Sequence, residues 1–171
     1  MDFDVVQGDI AAQNADALVN AAGTSLQMGS GVAGALRRNA GGPIHDEAVS
    51  KGPVDLGAVA VTDAYDLDAD YVIHAAAMPH YGDGRATAES VRDATRNALA
   101  RADELGCESI VVPVLGTGAA GLDFEAGARC VCETIGAYEP TTLTDASVIA
   151  HSDGEYRTTE AIADRIRSTN E

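Results

Sequence analysis

Short apolar segments alternate with longer amphipathic segments along most of this chain. The apolar segments, mostly β-branched or aromatic, predict six strands at residues 3–6, 17–19, 59–62, 71–74, 109–114 and 147–150. Helical periodicity predicts helices at residues 32–39, 44–50, 86–105, 124–137 and 158–168. Strands interleaved with helices in this way indicate a three-layer α/β fold.

No long Pro- or Ser-rich tract and no internal repeat interrupts this alternation. We therefore expect residues 1–171 to form one domain, which is long enough to bury a substantial core. The Gly- and Asp-containing stretch at residues 81–85 is predicted to be the most mobile loop.

The composition is strongly acidic. The chain has 27 Asp and Glu residues against 11 Lys and Arg, a formal net charge of -16, and Lys51 is its only lysine. Such a surface repels duplex nucleic acid and anionic membranes, so neither is expected as a bulk partner. The same balance is typical of proteins from salt-rich cells and points to a halophilic archaeon, with an ordinary acidic protein as the alternative.

The sequence also indicates a cytoplasmic location. The chain begins with an acidic stretch that no apolar signal core follows, and its longest apolar run, residues 111–115, is far too short to span a membrane. Three cysteines form no even disulfide framework, which favours a reducing compartment. Cys130 and Cys132 point in different directions on a predicted helix, so we interpret them as buried apolar residues and expect no metal site.

Two glycine-rich loops carry the strongest candidate chemistry. Both fit the pattern Gly-x-Gly-x-x-Gly: Gly29, Ser30, Gly31, Val32, Ala33 and Gly34 in the first, and Gly116, Thr117, Gly118, Ala119, Ala120 and Gly121 in the second. Glycines let backbone N–H groups approach a ligand, and a helix N-terminus adds partial positive charge. The loops therefore predict an anion site that needs no basic side chain, whereas the simpler alternative is that they only make tight turns.

Such loops first suggest a dinucleotide-binding oxidoreductase, but the order of the elements argues against this class. That fold places the glycine loop after its first strand and an acidic residue about 20 positions later. The second loop comes too late in the chain. The first loop is followed by helix, and Asp46 and Glu47 both fall inside a predicted helix.

Five motifs together resemble the sequence of macrodomains. In the family's order, between about residues 3 and 130, they are Val6-Gln7-Gly8-Asp9-Ile10, Ala17-Leu18-Val19-Asn20-Ala21-Ala22, Gly29-Ser30-Gly31-Val32, Val72-Ile73-His74 and Val112-Pro113-Val114-Leu115-Gly116-Thr117-Gly118. The resemblance implies a three-layer α/β/α sandwich with a mixed six-stranded sheet. It also implies a cleft that binds ADP-ribose at the carboxyl ends of the central strands.

The resemblance assigns ligand contacts to individual residues. Asp9, between Gly8 and Ile10, matches the acid that accepts a hydrogen bond from the adenine amino group, a role that suits a carboxylate because it only accepts. Capping of the short helix that follows is the alternative for Asp9. Asn20 matches an asparagine near the distal ribose, with an ordinary strand-end asparagine as the alternative. The two glycine loops match those whose amides hold the diphosphate and the distal ribose.

The chain departs from the family pattern at three positions. Gly23 and Ala33 stand where a second asparagine and an aspartate assist attack on the distal ribose, and Ala120 replaces an aromatic residue of the second loop. Loss of a general base alone costs about 10²–10⁴ in rate. We therefore name no catalytic residue, and hydrolysis would have to rely on a water bound to the substrate phosphate.

Four further residues and one pair have open interpretations. His74 is more consistent with a structural residue at the end of a buried strand, and His80 with a solvated residue, although it could serve a substrate. Tyr156 or Ser152 could contact the adenine. The arginines at positions 37 and 38 are interpreted as a solvated helix face.

The expected function is binding of ADP-ribose, or of the terminal ADP-ribosyl group of a modified protein or nucleic acid. The alternative is an ADP-ribosyl hydrolase or O-acetyl-ADP-ribose deacetylase with a reduced, substrate-assisted site. A third class is a scaffold domain with a vestigial cleft. No cofactor is expected in any of these cases.

Overall fold

The computed structural model describes residues 1–80 and 83–169, so Tyr81 and Gly82 of the predicted loop lie outside the described residues. The strands are β1 (Asp4–Gln7), β2 (Ala17–Gly23), β3 (Val59–Asp63), β4 (Tyr71–Met78), β5 (Ser109–Pro113) and β6 (Asp145–Ala150). The α-helices are α1 (Gly31–Ala40), α2 (Ile44–Ser50), α3 (Ala88–Glu104), α4 (Phe124–Ala137) and α5 (Asp153–Thr169). Short 3-10 helices follow β1 at Ile10–Ala12 and β5 at Gly118–Ala120.

The six strands form one sheet in the order β1-β6-β5-β2-β4-β3. Every neighbouring pair is parallel except β3 and β4, which pair antiparallel at one edge. Helices α1 and α2 pack on one face of the sheet, and α3, α4 and α5 pack on the other. This arrangement confirms the predicted three-layer sandwich with a mixed sheet.

Alternation along the strands supplies both cores. In β2, Ala17 and Val19 pack with α3, α4 and α5, whereas Leu18 and Ala22 pack with α1 and α2. A strand covered on both faces needs apolar residues at successive positions, which explains why the central strands read as continuous apolar runs.

Some elements extend further than the sequence pattern predicted. Strands β2 and β4 continue to Gly23 and Met78 through alanines, which have low β-propensity but are largely buried here. Helix α5 begins at Asp153 rather than at residue 158. The Ser152 hydroxyl accepts from the Glu155 N–H at 3.2 Å and donates to the Glu155 carboxylate at 3.1 Å, so Ser152 acts as the N-cap of this helix.

The carboxylate of Asp103, in the last turn of α3, holds the segment between α4 and β6 in place. It accepts hydrogen bonds from the Tyr138 hydroxyl at 2.6 Å and from the backbone N–H groups of Thr141, Thr142 and Leu143 at 2.9–3.0 Å. Partial burial disfavours the ionised form, but these donors outweigh it and lower the pKa of Asp103 well below its ordinary value. The ionised carboxylate therefore stabilises the fold at neutral pH.

Replacement of Asp103 by Asn should lower the free energy of unfolding by about 2 kcal/mol at pH 7, because one accepting oxygen becomes an amide donor. The difference should shrink below about pH 4, where the wild-type carboxylate begins to be protonated in the unfolded state. Urea unfolding monitored by circular dichroism measures both effects. The control is Glu104→Gln at the exposed partner of Arg101, which should change stability by less than about 0.5 kcal/mol. Equal effects of the two substitutions would contradict this assignment.

Candidate functional site

A cavity of about 440 Å³ opens where β1, β5 and β6 end. The residues that line it are Gly8, Asp9, Ile10, Gly31, Val32, Ala35, Arg38, Pro113, Val114, Thr117, Phe124, Ile149, Ala150, His151 and Glu155. Helices α1, α4 and α5 each contribute residues of their first turns to this wall, so their N-terminal ends converge on the cavity. Partial positive charge at these ends favours an anionic occupant.

Two other cavities lie away from the carboxyl ends of the strands. One of about 350 Å³ is lined by residues near the C-terminal ends of α4 and α5, including Ala137 and Thr169, and one of about 440 Å³ surrounds the start of β1. Helix C-terminal ends carry partial negative charge. The cavity at the carboxyl ends of the strands, which we call the carboxyl edge of the sheet, is therefore the candidate site for a phosphate-containing ligand.

The first turn of α1 forms one wall of this cavity. Gly31, the first residue of the helix, has a φ of +61°, a conformation that favours glycine. The side chain of Ser30, at the N-cap, makes no hydrogen bond to the turn. The first N–H groups of a helix have no acceptor within it, so those at the start of α1 are available to a ligand.

The remaining residues of the first loop take different positions. Gly29 and Ser30 are exposed and do not belong to the lining, whereas Ala33 and Gly34 lie on the buried face of α1. A Cβ atom at Gly34 would lie 3.2 Å from Arg38 Nη1. Because Gly34 has no side chain, the Arg38 guanidinium can lie back along the helix toward the first glycine loop.

Arg37 and Arg38 are both exposed, as their interpretation as a solvated helix face predicted, but they differ in their relation to the cavity. Arg38 lines the cavity, whereas the Arg37 guanidinium donates to the carbonyl oxygen of Met28 at 3.4 Å. Residues 31, 35 and 38 follow one another at intervals of four and three, which places all three on one face of the helix. That spacing was available in the sequence.

The second loop contributes mainly through Thr117, which lines the cavity. Gly116 is buried with a φ of +78°, and a Cβ atom there would overlap the Val91 side chain, so this glycine is required by packing and backbone conformation. Ala120 is 4% exposed and belongs to the core. The other members of the loop are exposed and outside the lining: Gly118, Ala119 and Gly121.

Asp9 combines a structural role with a position on the cavity wall. Its Oδ1 accepts from the Ala11 N–H at 2.9 Å and caps the 3-10 helix, as the alternative interpretation predicted. The second carboxylate oxygen is left for a ligand. Gly8 and Ile10 line the cavity on either side, and Gly8 N–H donates to the Ala150 carbonyl oxygen at 3.0 Å, which ties β1 to β6.

Asn20 does not belong to the cavity lining and is fully buried in β2. Its Nδ2 lies 2.9 Å from His74 Nδ1, and His74 Nε2 lies 2.9 Å from the Thr62 hydroxyl, so the three side chains cross β2, β4 and β3 in a row. The Thr62 hydroxyl donates its hydrogen to the Asp63 carbonyl oxygen at 3.0 Å. Its oxygen must therefore accept from His74, which places the imidazole proton on Nε2. Asn20 Oδ1 is buried without a partner among the described residues.

His74 is therefore a structural residue, as the simpler interpretation expected. Burial lowers the pKa of His74 to about 4, so the neutral imidazole persists at physiological pH.

The residues that sequence reasoning missed come mostly from the β6–α5 junction. His151 and Glu155 line the cavity there, and the Ser-x-x-Glu sequence, a typical signature of a helix start, was a usable signal for Ser152 as the N-cap of α5. Tyr156 instead packs against the core formed with α3 and α4. Phe124, the first residue of α4, supplies the aromatic surface that the second loop lacks.

Gly23 and Ala33, which stand where hydrolytic macrodomains have an asparagine and an aspartate, offer no functional group to the cavity. Gly23 lies at the end of β2 beneath the backbone of Pro79 and His80, and Ala33 is 5% exposed within the core. His80 Nδ1 lies 2.9 Å from the Ser25 hydroxyl, and both residues are outside the cavity lining.

The first turns of three helices and the carboxylate of Asp9 thus surround one cavity at the carboxyl ends of the strands. This arrangement is typical of α/β domains that bind a ligand through main-chain N–H groups. The chain belongs to the macro domain family, whose model matches residues 19–131. An uncharacterized protein of Saccharolobus solfataricus is 41% identical over 167 residues, covering 95% of this chain and 92% of the relative. An uncharacterized protein of Mycobacterium tuberculosis is 36% identical over 92% of this chain, which spans 43% of that longer relative.

Solved structures show the same fold. The Oceanobacillus iheyensis macrodomain with ADP superposes with a TM-score of 0.87 at 23% identity, covering 96% of this chain and 91% of that chain. The Trypanosoma brucei macrodomain in complex with ADP superposes with a TM-score of 0.81 at 26% identity, covering 92% and 67%.

Among residues 1–80 and 83–169, no helix is long and apolar enough to cross a membrane. The same residues contain no group of three or more His, Cys, Asp or Glu side chains arranged to hold a metal ion.

The buried His74 predicts a pH-dependent stability. The unfolded histidine titrates near pH 6.5 and the folded one near 4, so protons favour the unfolded state as the pH falls between these values. The free energy of unfolding should drop by about 2 kcal/mol between pH 7.5 and pH 5. Urea unfolding across this range measures the slope, which His151→Gln at an exposed histidine should leave intact. A wild-type stability that stays constant over this range would refute the prediction.

Proposed function

We propose that this protein binds ADP-ribose, or the terminal ADP-ribosyl group of a modified macromolecule, in the cavity at the carboxyl edge of the sheet. One observation carries the proposal: the fold brings Asp9, the uncapped first turn of α1 and Thr117 around a single cavity of about 440 Å³. An acceptor at one end and main-chain donors along the wall match a ligand with an amino-substituted base and a diphosphate.

Each part of the ligand has a suitable partner. Asp9 uses Oδ1 for its cap, and Oδ2 can accept a hydrogen bond from the adenine amino group. The N–H groups that begin α1 at Gly31 and Val32 face the diphosphate, with the second loop at Thr117 opposite them. A macrodomain variant from Oceanobacillus iheyensis solved with ADPR, and the Trypanosoma brucei macrodomain with ADP, support this class of ligand.

Binding is favoured over hydrolysis. Gly23 and Ala33 carry no side chain that could activate a water molecule or hold the distal ribose, and Asn20 is engaged with His74. The described residues around the cavity therefore support recognition without a general base at the usual positions.

We further propose that residues 1–171 act as one domain in the cytoplasm of a salt-rich cell. The three cysteines at positions 107, 130 and 132 are free and buried, which suits a reducing compartment. The excess of acidic residues suits concentrated salt, where the Debye length falls to about 3 Å and surface charge no longer repels a diphosphate at a distance.

Isothermal titration calorimetry with ADP-ribose in molar KCl tests the proposed function. Wild-type protein should bind, and Asp9→Asn should weaken binding by about tenfold, since the amide keeps a capping oxygen but turns a donor toward the adenine amino group. Asp4→Asn, an exposed change in β1, is the matched control and should bind as wild type. No detectable heat with millimolar ADP-ribose would refute the proposal.

Arg38 provides a second test of the ligand's position. Arg38→Ala should weaken ADP-ribose binding by about three- to tenfold in low salt, because it removes the guanidinium from the wall beside the diphosphate. The effect should diminish in molar KCl as the charge is screened. Arg37→Ala removes the same charge from the neighbouring residue outside the lining, and affinities measured by calorimetry should be unchanged. Equal losses from both substitutions would contradict a direct contact by Arg38.

A further inference from the structure

Glu155 is a carboxylate on the cavity wall that the proposed adenine and diphosphate contacts do not use. Strands β1 and β6 end side by side, with Gln7 paired to Ala150 and the Gly8 N–H bonded to the Ala150 carbonyl oxygen at 3.0 Å. Asp9 and the first turn of α5 therefore flank the same end of the cavity. Glu155 belongs to this turn and lines the cavity.

A hydrogen bond to Ser152 orients the Glu155 side chain. Its Oε1 accepts from the Ser152 hydroxyl at 3.1 Å, and that hydroxyl accepts from the Glu155 N–H at 3.2 Å. Glu155 is half-buried and lies in the first turn of its helix. An oriented carboxylate loses less side-chain entropy when it binds a ligand, and Oε2 is not used in the bond to Ser152.

The position of Glu155 matches one part of the ligand, an inference that rests on the proposed function. With adenine at Asp9 and the diphosphate at the first turn of α1, the adenosine ribose must lie between them. We propose that Glu155 accepts hydrogen bonds from the 2′- and 3′-hydroxyls of this ribose and thereby selects adenosine diphosphate ligands whose 2′-oxygen is unsubstituted.

The chemistry of a carboxylate explains the selection. It only accepts hydrogen bonds, so a free 2′-hydroxyl is a favourable partner and a substituted oxygen is not. A 2′-phosphate would also place like charges together, the reason that a ribose-binding acid distinguishes phosphorylated from unphosphorylated dinucleotides.

Calorimetric titration of ADP-ribose and of its 2′-phosphate tests this selection. Wild-type protein should bind ADP-ribose at least about tenfold more tightly, and Glu155→Gln should bring the two affinities to within about threefold. The Glu155→Gln variant keeps the backbone N–H that Ser152 caps and an oxygen that can accept from the Ser152 hydroxyl, so α5 should keep its start. Circular dichroism and thermal unfolding of the variant verify that the fold is retained.

Asp153→Asn is the matched control, because it removes the same charge from the same helix turn. Asp153 accepts from Gln7 Nε2 at 2.6 Å and does not belong to the cavity lining, so this variant should keep the wild-type preference. If Glu155→Gln and Asp153→Asn reduced the preference for ADP-ribose equally, the preference would come from the general negative charge of this helix turn. That result would overturn the proposed contact by Glu155. Equal wild-type affinity for both ligands would also overturn it while leaving the proposed function intact. No binding of ADP-ribose would overturn both.

Discussion

Because β1, β6, β5 and β2 run parallel, their carboxyl ends meet at one edge of the sheet, and the helices that follow them begin there. The first turn of each helix leaves N–H groups without partners, so this edge carries partial positive charge from the backbone. The opposite edge collects helix C-terminal ends and the reverse charge. The direction of the strands thus decides which of the three described cavities suits a phosphate.

This backbone-based site resolves the tension between an acidic protein and the anionic ligand proposed for it. A net charge of -16 offers no long-range attraction to a diphosphate, but main-chain donors act at contact distance and need no net charge. The three charged side chains of the described lining, Asp9, Arg38 and Glu155, are then free to discriminate between ligands. Two of them also have structural partners: Asp9 caps a 3-10 helix, and Glu155 accepts from the hydroxyl of Ser152, the N-cap of α5.

Much of the fold could be predicted from local patterns. Helices α2 and α4 have the predicted bounds, since a Gly-Gly-Pro break precedes one and Asp123 caps the other with a 3.2 Å hydrogen bond to the Ala126 N–H. The start of α5 was missed although Ser152 and Glu155 carry a capping signal. The ends of β2 and β4 were missed for a physical reason: buried alanines become strand only because neighbouring strands and helices enclose them.

The sequence by itself determined the alternation of strands and helices, the two glycine loops and Asp9 as a candidate ligand residue, because periodicity, glycine spacing and short motifs are local properties. Only the tertiary structure decided where each side chain goes. It turns Asn20 inward onto His74, places Ala120 in the core, and brings Arg38 and Glu155 to the wall shared with Asp9. These placements depend on strand order and on contacts between residues far apart in the chain, such as Gly8 with Ala150, which no local pattern specifies.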